Sequence, residues 1–86
     1  MSIEEEYKKK NIDVQQYIKS EMKNIEKGVS ERNFVQLSII LKELEKTLNN
    51  KCLSLSYPRI IVDTWDFQDK LGKDLLDLAE LYKHWK

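Results

Sequence analysis

Residues 58–86 read PRIIVDTWDFQDKLGKDLLDLAELYKHWK, and the folding of this stretch decides the architecture of the chain. Ile60, Thr64, Phe67, Leu71, Leu75, Leu78, Tyr82 and Trp85 recur at spacings of three and four, the period of one helix face. A rival reading takes Arg59 to Trp65, where β-branched residues crowd together, as a short strand. A single strand would find no partner elsewhere in the chain, so a helix is the better expectation. Pro58 suits either a turn or the first turn of that helix. Gly72 costs about 1 kcal/mol against alanine inside a helix, and its presence marks a kink or a close helix crossing.

Toward the N-terminus the same period continues. Phe34, Leu37, Leu41, Leu44, Leu48, Cys52 and Leu55 form an amphipathic stripe of about five turns, with Ser30 as the expected N-cap and Glu31 in the first turn. Val35, Ile39 and Ile40 lie off that stripe, which suits a central helix packed by two neighbours. Asn49 and Asn50 offer an early stop, leaving Cys52 to Tyr57 as a connection. In the first segment, Ser2 and Glu5 have the spacing of a capping box, and Glu4–Lys8, Glu5–Lys9 and Glu6–Lys10 are i,i+4 pairs in the favourable order. Its apolar residues are Tyr7, Val14, Ile18, Met22, Ile25 and Val29. Asn11 interrupts them as a second cap would, and Gly28 is the natural stop. The expectation is an all-α fold over residues 1–86, a single helical domain. It is a small antiparallel helical bundle of three long helices, or four if the chain breaks near Asn11 or Gly72.

Composition narrows the function. A chain of 86 residues buries only roughly 60–65% of its unfolded surface, so oligomerisation or a partner is a reasonable source of added stability. The one cysteine, Cys52, excludes an internal disulfide and a multi-cysteine zinc site. The acidic start, without a signal peptide, and the lack of any apolar run near the roughly 18 residues of a membrane span point to a cytoplasmic protein away from membranes. Basic and acidic residues balance at 15 each, which leaves no long-range field toward nucleic acid. Arginine, the usual reader of bases, occurs only as Arg32 and Arg59.

Catalytic chemistry finds little support. His84 falls beside the apolar stripe near the chain end and reads as a surface residue. Cys52 continues an apolar stripe and reads as a small hydrophobe in or near the core. Asp63, Asp66, Asp74 and Asp77, with Lys70 and Lys73 interleaved, read as a solvated helix flank; a calcium site needs converging ligands. Lys19, Lys23 and Lys27 read likewise as a solvent face. No enzyme activity, cofactor, metal or small-molecule substrate is expected.

One pattern exceeds what a bundle core requires. On a continuous helix from Pro58, Val62, Trp65, Gly72 and Leu76 form a second narrow stripe on the back of the main one. Either this stripe is a contact surface, or the helix kinks at Gly72 and Trp65 joins the core. Val35 and Ile39 raise the same question. The expected partner-binding residues are therefore Val62, Trp65, Leu76, Val35 and Ile39, in an adaptor, inhibitor or subunit that contacts a protein partner or a second copy of itself. The alternative is a nucleic-acid-associated accessory or regulatory protein. The segment from Leu41 to Trp85-Lys86, with Thr64 between, resembles the small helical leucine–tryptophan domains of transcription elongation factors. It lacks their glycine shortly after the threonine and is too short for their extra helix, so nothing is carried over from them.

Overall fold

The computed structural model describes residues 2–48, 50, 54–66 and 68–85. Among the described residues four helices follow one another, α1 (Ile3–Glu26), α2 (Phe34–Thr47), α3 (Tyr57–Thr64) and α4 (Lys70–Trp85). No strand occurs among the described residues, which disposes of the strand reading of Arg59 to Trp65. Each helix packs on two others: α1 on α4 and α2, and α3 on the same two. Cross-helix pairings place Tyr7 at Thr47, Gln36 at Trp65, Tyr57 at Leu75 and Tyr7 at Tyr82, so neighbouring helices run antiparallel around the bundle. At 1.5 Å per residue the 24 residues of α1 span about 36 Å, which accounts for the longest molecular extent of 39 Å.

The ends of α1 follow local chemistry. The Ser2 hydroxyl accepts a bond from the Glu5 amide at 3.2 Å, and Glu4 pairs with Lys8 at 3.6 Å. At the other end Gly28 adopts φ 76°, and Gly28 N–H and Val29 N–H donate to the carbonyls of Ile25 and Asn24. These are the two bonds of a Schellman ending, which needs a left-handed residue at that position. Asn11 does not break the helix. It is fully buried in mid-helix, where its amide donates to the Tyr7 hydroxyl at 3.2 Å and to the Leu44 carbonyl at 3.1 Å.

This asparagine belongs to a chain of buried hydrogen bonds whose proton directions are fixed by elimination. The Asn11 amide nitrogen only donates, so the Tyr7 oxygen accepts from it. The Tyr7 proton then goes to Thr47 Oγ1 at 2.8 Å, and the Thr47 proton returns to the Glu43 carbonyl at 2.9 Å. Gln15 donates to Asn11 Oδ1 at 2.5 Å. Burial raises the ionisation of Tyr7 above its ordinary range, which keeps the donor proton in place. The network sets the register of α1 against α2, because any slip would strand buried polar atoms.

In α2 the cap is Asn33, whose side chain accepts from Gln36 N–H at 3.1 Å. Ser30, the expected cap, instead accepts from the Arg32 amide within the connection. The helix ends at Thr47 with Leu48 as its C-cap, shorter than the five turns that its apolar stripe suggests. Leu37, Ile40 and Leu44 are buried, whereas Phe34 is partly exposed. Glu43 of α2 caps the next helix: its carboxylate accepts from the backbone amides of Ser56 and Tyr57 and from the Ser56 hydroxyl. Pro58 occupies the first turn of α3.

The expected long third helix is broken, and the break falls shortly before Gly72, between Trp65 and Asp69. Trp65 is extended at φ −99°, ψ 152°. Asp66 accepts from Gln68 N–H at 2.9 Å, and Asp69 Oδ1 accepts from Leu71 and Gly72 N–H at 2.9 and 3.3 Å. Both carboxylates thus offer the backbone an alternative to helical bonds, and Asp69 becomes the N-cap of α4. Freed from α4, helix α3 turns Tyr57 and Ile61 inward in place of Ile60 and Thr64. In α4 the expected residues Leu71, Leu75, Leu78 and Tyr82 are buried. Gly72 is a close crossing rather than a kink: a Cβ there would lie 3.3 Å from the Trp65 ring and 3.4 Å from Ile61. Phe67 and Cys52 fall outside the described residues.

If Asn11 works as a buried network member, Asn11→Ala lowers unfolding stability by about 2 kcal/mol in urea titration, although alanine is the better helix former. A cost within about 0.5 kcal/mol, as for a surface substitution, contradicts this account.

Candidate functional site

Two features stand out on the surface, and both depend on the α3–α4 turn. The first is a clamp centred on Arg32. Its guanidinium makes a two-pronged contact with Asp69, at 2.5 and 2.9 Å, and approaches Glu21 of α1 at 3.4 Å. The same group lies 5.1 Å from the centroid of the Trp65 ring. Trp65 in turn donates from its indole nitrogen to Gln36 Oε1 at 3.0 Å. One arginine thereby joins α1, the start of α2, the end of α3 and the cap of α4. A planar fork is required for such simultaneous pairing and stacking, which lysine lacks.

The second feature is an open apolar groove of about 510 Å³ between the start of α3 and the middle of α4. Leu55 and Pro58 form one wall and Leu76 and Ala79 the other, with Tyr82 at the end. Asp77, Glu80 and Lys83 stand at its rim, so the charges are of both signs. Val62 follows Pro58 by one helical turn and extends the same side of α3. It is 70% exposed.

The residues expected to bind a partner are distributed over two faces. The α3–α4 turn folds the expected single stripe into a hairpin, with Val62 on one arm, Leu76 on the other and Trp65 near the bend. Trp65 is half-buried over Gly72 and is held by Arg32 and Gln36. Val35 and Ile39, 65% and 46% exposed, lie one turn apart on the outer side of α2, followed by Lys42 and Lys46. In sequence Leu55 belongs to the apolar stripe of the second helix, Pro58 reads as a turn or first-turn residue, and Ala79 does not stand out; none of the three is expected at a contact surface. Arg32 and Asp69 were missed as well; the Asp69 to Gly72 spacing of a cap was the available signal.

His84 is exposed and faces Glu80 at 3.8 Å. Lys19, Lys23 and Lys27 are all exposed. Among the described residues no cluster of three metal-ligating side chains occurs, and no helix is long and apolar enough to cross a membrane. The chain matches no family model, no curated protein and no solved structure.

Arg32 holds the Asp69 carboxyl below its ordinary ionisation range, assisted by the Gly72 and Leu71 amides. A lowered folded-state value means that Asp69 adds stability above the unfolded carboxylate range, and that this part is lost as pH falls below it. At neutral pH, Asp69→Asn is expected to cost about 1–2 kcal/mol, discounted for partial solvent access. The gap between the two proteins should close as denaturation is measured at progressively lower pH. A gap that stays constant with pH would show that the Asp69 charge contributes nothing.

Proposed function

We propose that this chain is a non-catalytic protein-interaction module, an adaptor, inhibitor or subunit, whose contact face is the α3–α4 groove. The observation that carries this reading is the apolar groove lined by Leu55, Pro58, Leu76 and Ala79, extended by the exposed Val62. An apolar concavity with a polar rim is the usual anatomy of a contact site, in which the centre supplies affinity and the rim orientation. Leu55, Leu76 and Ala79 are partly buried against the core, and a partner that covers their remaining surface together with the exposed Val62 gains apolar burial there.

The clamp supports the reading by holding the two walls in place. Gly72 lets α3 approach α4 closely at the Trp65 end, and Tyr57 donates its buried hydroxyl to the Leu75 carbonyl near the groove. Burial pushes the Tyr57 phenol far above its ordinary range, so this donor stays protonated. The groove is thus preorganised, and a ligand meets little ordering cost there.

The test is affinity capture of the tagged chain from the cells that make it, with an untagged copy of the chain counted as a partner. The wild type should retain a partner in fixed proportion, and the double variant Val62→Asp, Leu76→Asp should lose it with an unchanged helical circular dichroism spectrum. Retention by the folded double variant would remove the groove from the contact.

A further inference from the structure

We infer that the occupant of the groove is a second copy of the chain, docked through an antiparallel two-fold pairing of the α4 helices. This inference rests on the groove being a contact surface, and it names the partner from the charge pattern. The rim carries Asp77 and Glu80 together with Lys83, and Lys73 stands one turn before Asp77 on the exposed side of α4. A partner of one strong charge would meet repulsion from one half of such a rim. A second copy meets opposite charges, provided that the helices run antiparallel.

Helix geometry specifies the register. At 100° per residue Lys73 and Glu80 lie together opposite the buried stripe of Leu71, Leu75, Leu78 and Tyr82, while Leu76 and Ala79 share the adjoining flank of α4 that faces the groove. In an antiparallel two-fold pair, like flanks face each other. Setting Leu76 level with Ala79 of the second copy places a large side chain against a small one. The same setting brings Lys73 within about 3 Å, or two residues' rise, of the level of Glu80 on the second copy. Both pairings repeat by symmetry, giving two apolar contacts and two opposite-charge contacts from a single arrangement. A parallel two-fold pairing instead sets unlike flanks together, so Lys73 and Glu80 lie across the seam from their copies and form no opposite-charge pair. Lys73 has no ion pair among the described residues, and Glu80 has only the exposed His84, so both are available.

The exposed wall of α3 contributes in the same arrangement. Pro58 lines the groove into which α4 of the second copy settles, and Val62, one helical turn further along α3, is exposed on the same side of that helix. Val35 and Ile39 lie on another helix and take no part.

Light scattering behind a sizing column, across a wide concentration range, reads the oligomer directly. The wild type should approach twice the monomer mass, with Lys73→Glu and Glu80→Lys each weakening association by about tenfold through like-charge contacts. Combining them in one chain exchanges both partners and should restore association close to wild type. Both positions are exposed, so these variants keep the fold, and circular dichroism verifies it. A wild type that stays monomeric, or a combined variant no tighter than the single ones, overturns the two-fold pairing. The broader reading of the groove fails separately, if Leu76→Asp leaves capture of every partner unchanged.

Discussion

The contact between Arg32 and Asp69 governs where the chain reverses after α3, and the surface of the molecule follows from that reversal. Asp69 faces two ways: one side of its carboxylate receives the first amides of α4, and both oxygens receive the guanidinium. Cap and clamp reinforce each other, since the arginine orients the same carboxylate that starts the helix. Without this pairing the apolar period from Pro58 to Trp85 favours a single long helix, with its back stripe spread in a line. With it, the stripe closes into a hairpin and a groove forms between the arms.

The core is secured by a different device. Its apolar residues, Val14, Ile18, Leu37, Ile40, Leu44, Leu71, Leu75 and Leu78, supply non-directional burial that tolerates several registers. The hydrogen-bond chain from Gln15 through Asn11 and Tyr7 to Thr47 is directional and tolerates one. Polar residues in the middle of α1 and at the end of α2 thus act as a key between two apolar surfaces that would otherwise slide.

Much of the fold was legible in the sequence, because helix period and end signals are local. The Ser2 cap, the Gly28 stop, Pro58 in a first turn and the buried face of α4 all follow from residues within a few positions of one another. The errors share one cause. Asn11 resembles a cap when its neighbours are read along the chain, yet its partners lie on α1 and α2 across the core. Ser30 is as good a cap as Asn33 by type, and only the path of the connection chooses between them. The third helix appeared continuous because Trp65 and Phe67 do not interrupt an apolar period, while Asp66 and Asp69 reveal themselves as breakers only through their backbone bonds. The groove was legible only in part: Val62 and Leu76 stood out as surplus, whereas Leu55, Pro58 and Ala79 become neighbours through tertiary structure alone.

The ring stack of Tyr7, Tyr82 and Trp85, with centroids 5.2 to 5.8 Å apart, joins the first helix to the last. During synthesis α1 therefore emerges long before the surface that covers it. The part of its face that α4 covers stays open until α4 arrives, and closing so long a loop costs entropy that no earlier contact between those helices repays. Assembly on the ribosome can accumulate α1 with α2 through their shared polar key, but the ring stack closes only after Trp85 has cleared the exit tunnel. The period in which α1 is most open to chaperones or proteases thus lengthens with the delay between α1 and α4.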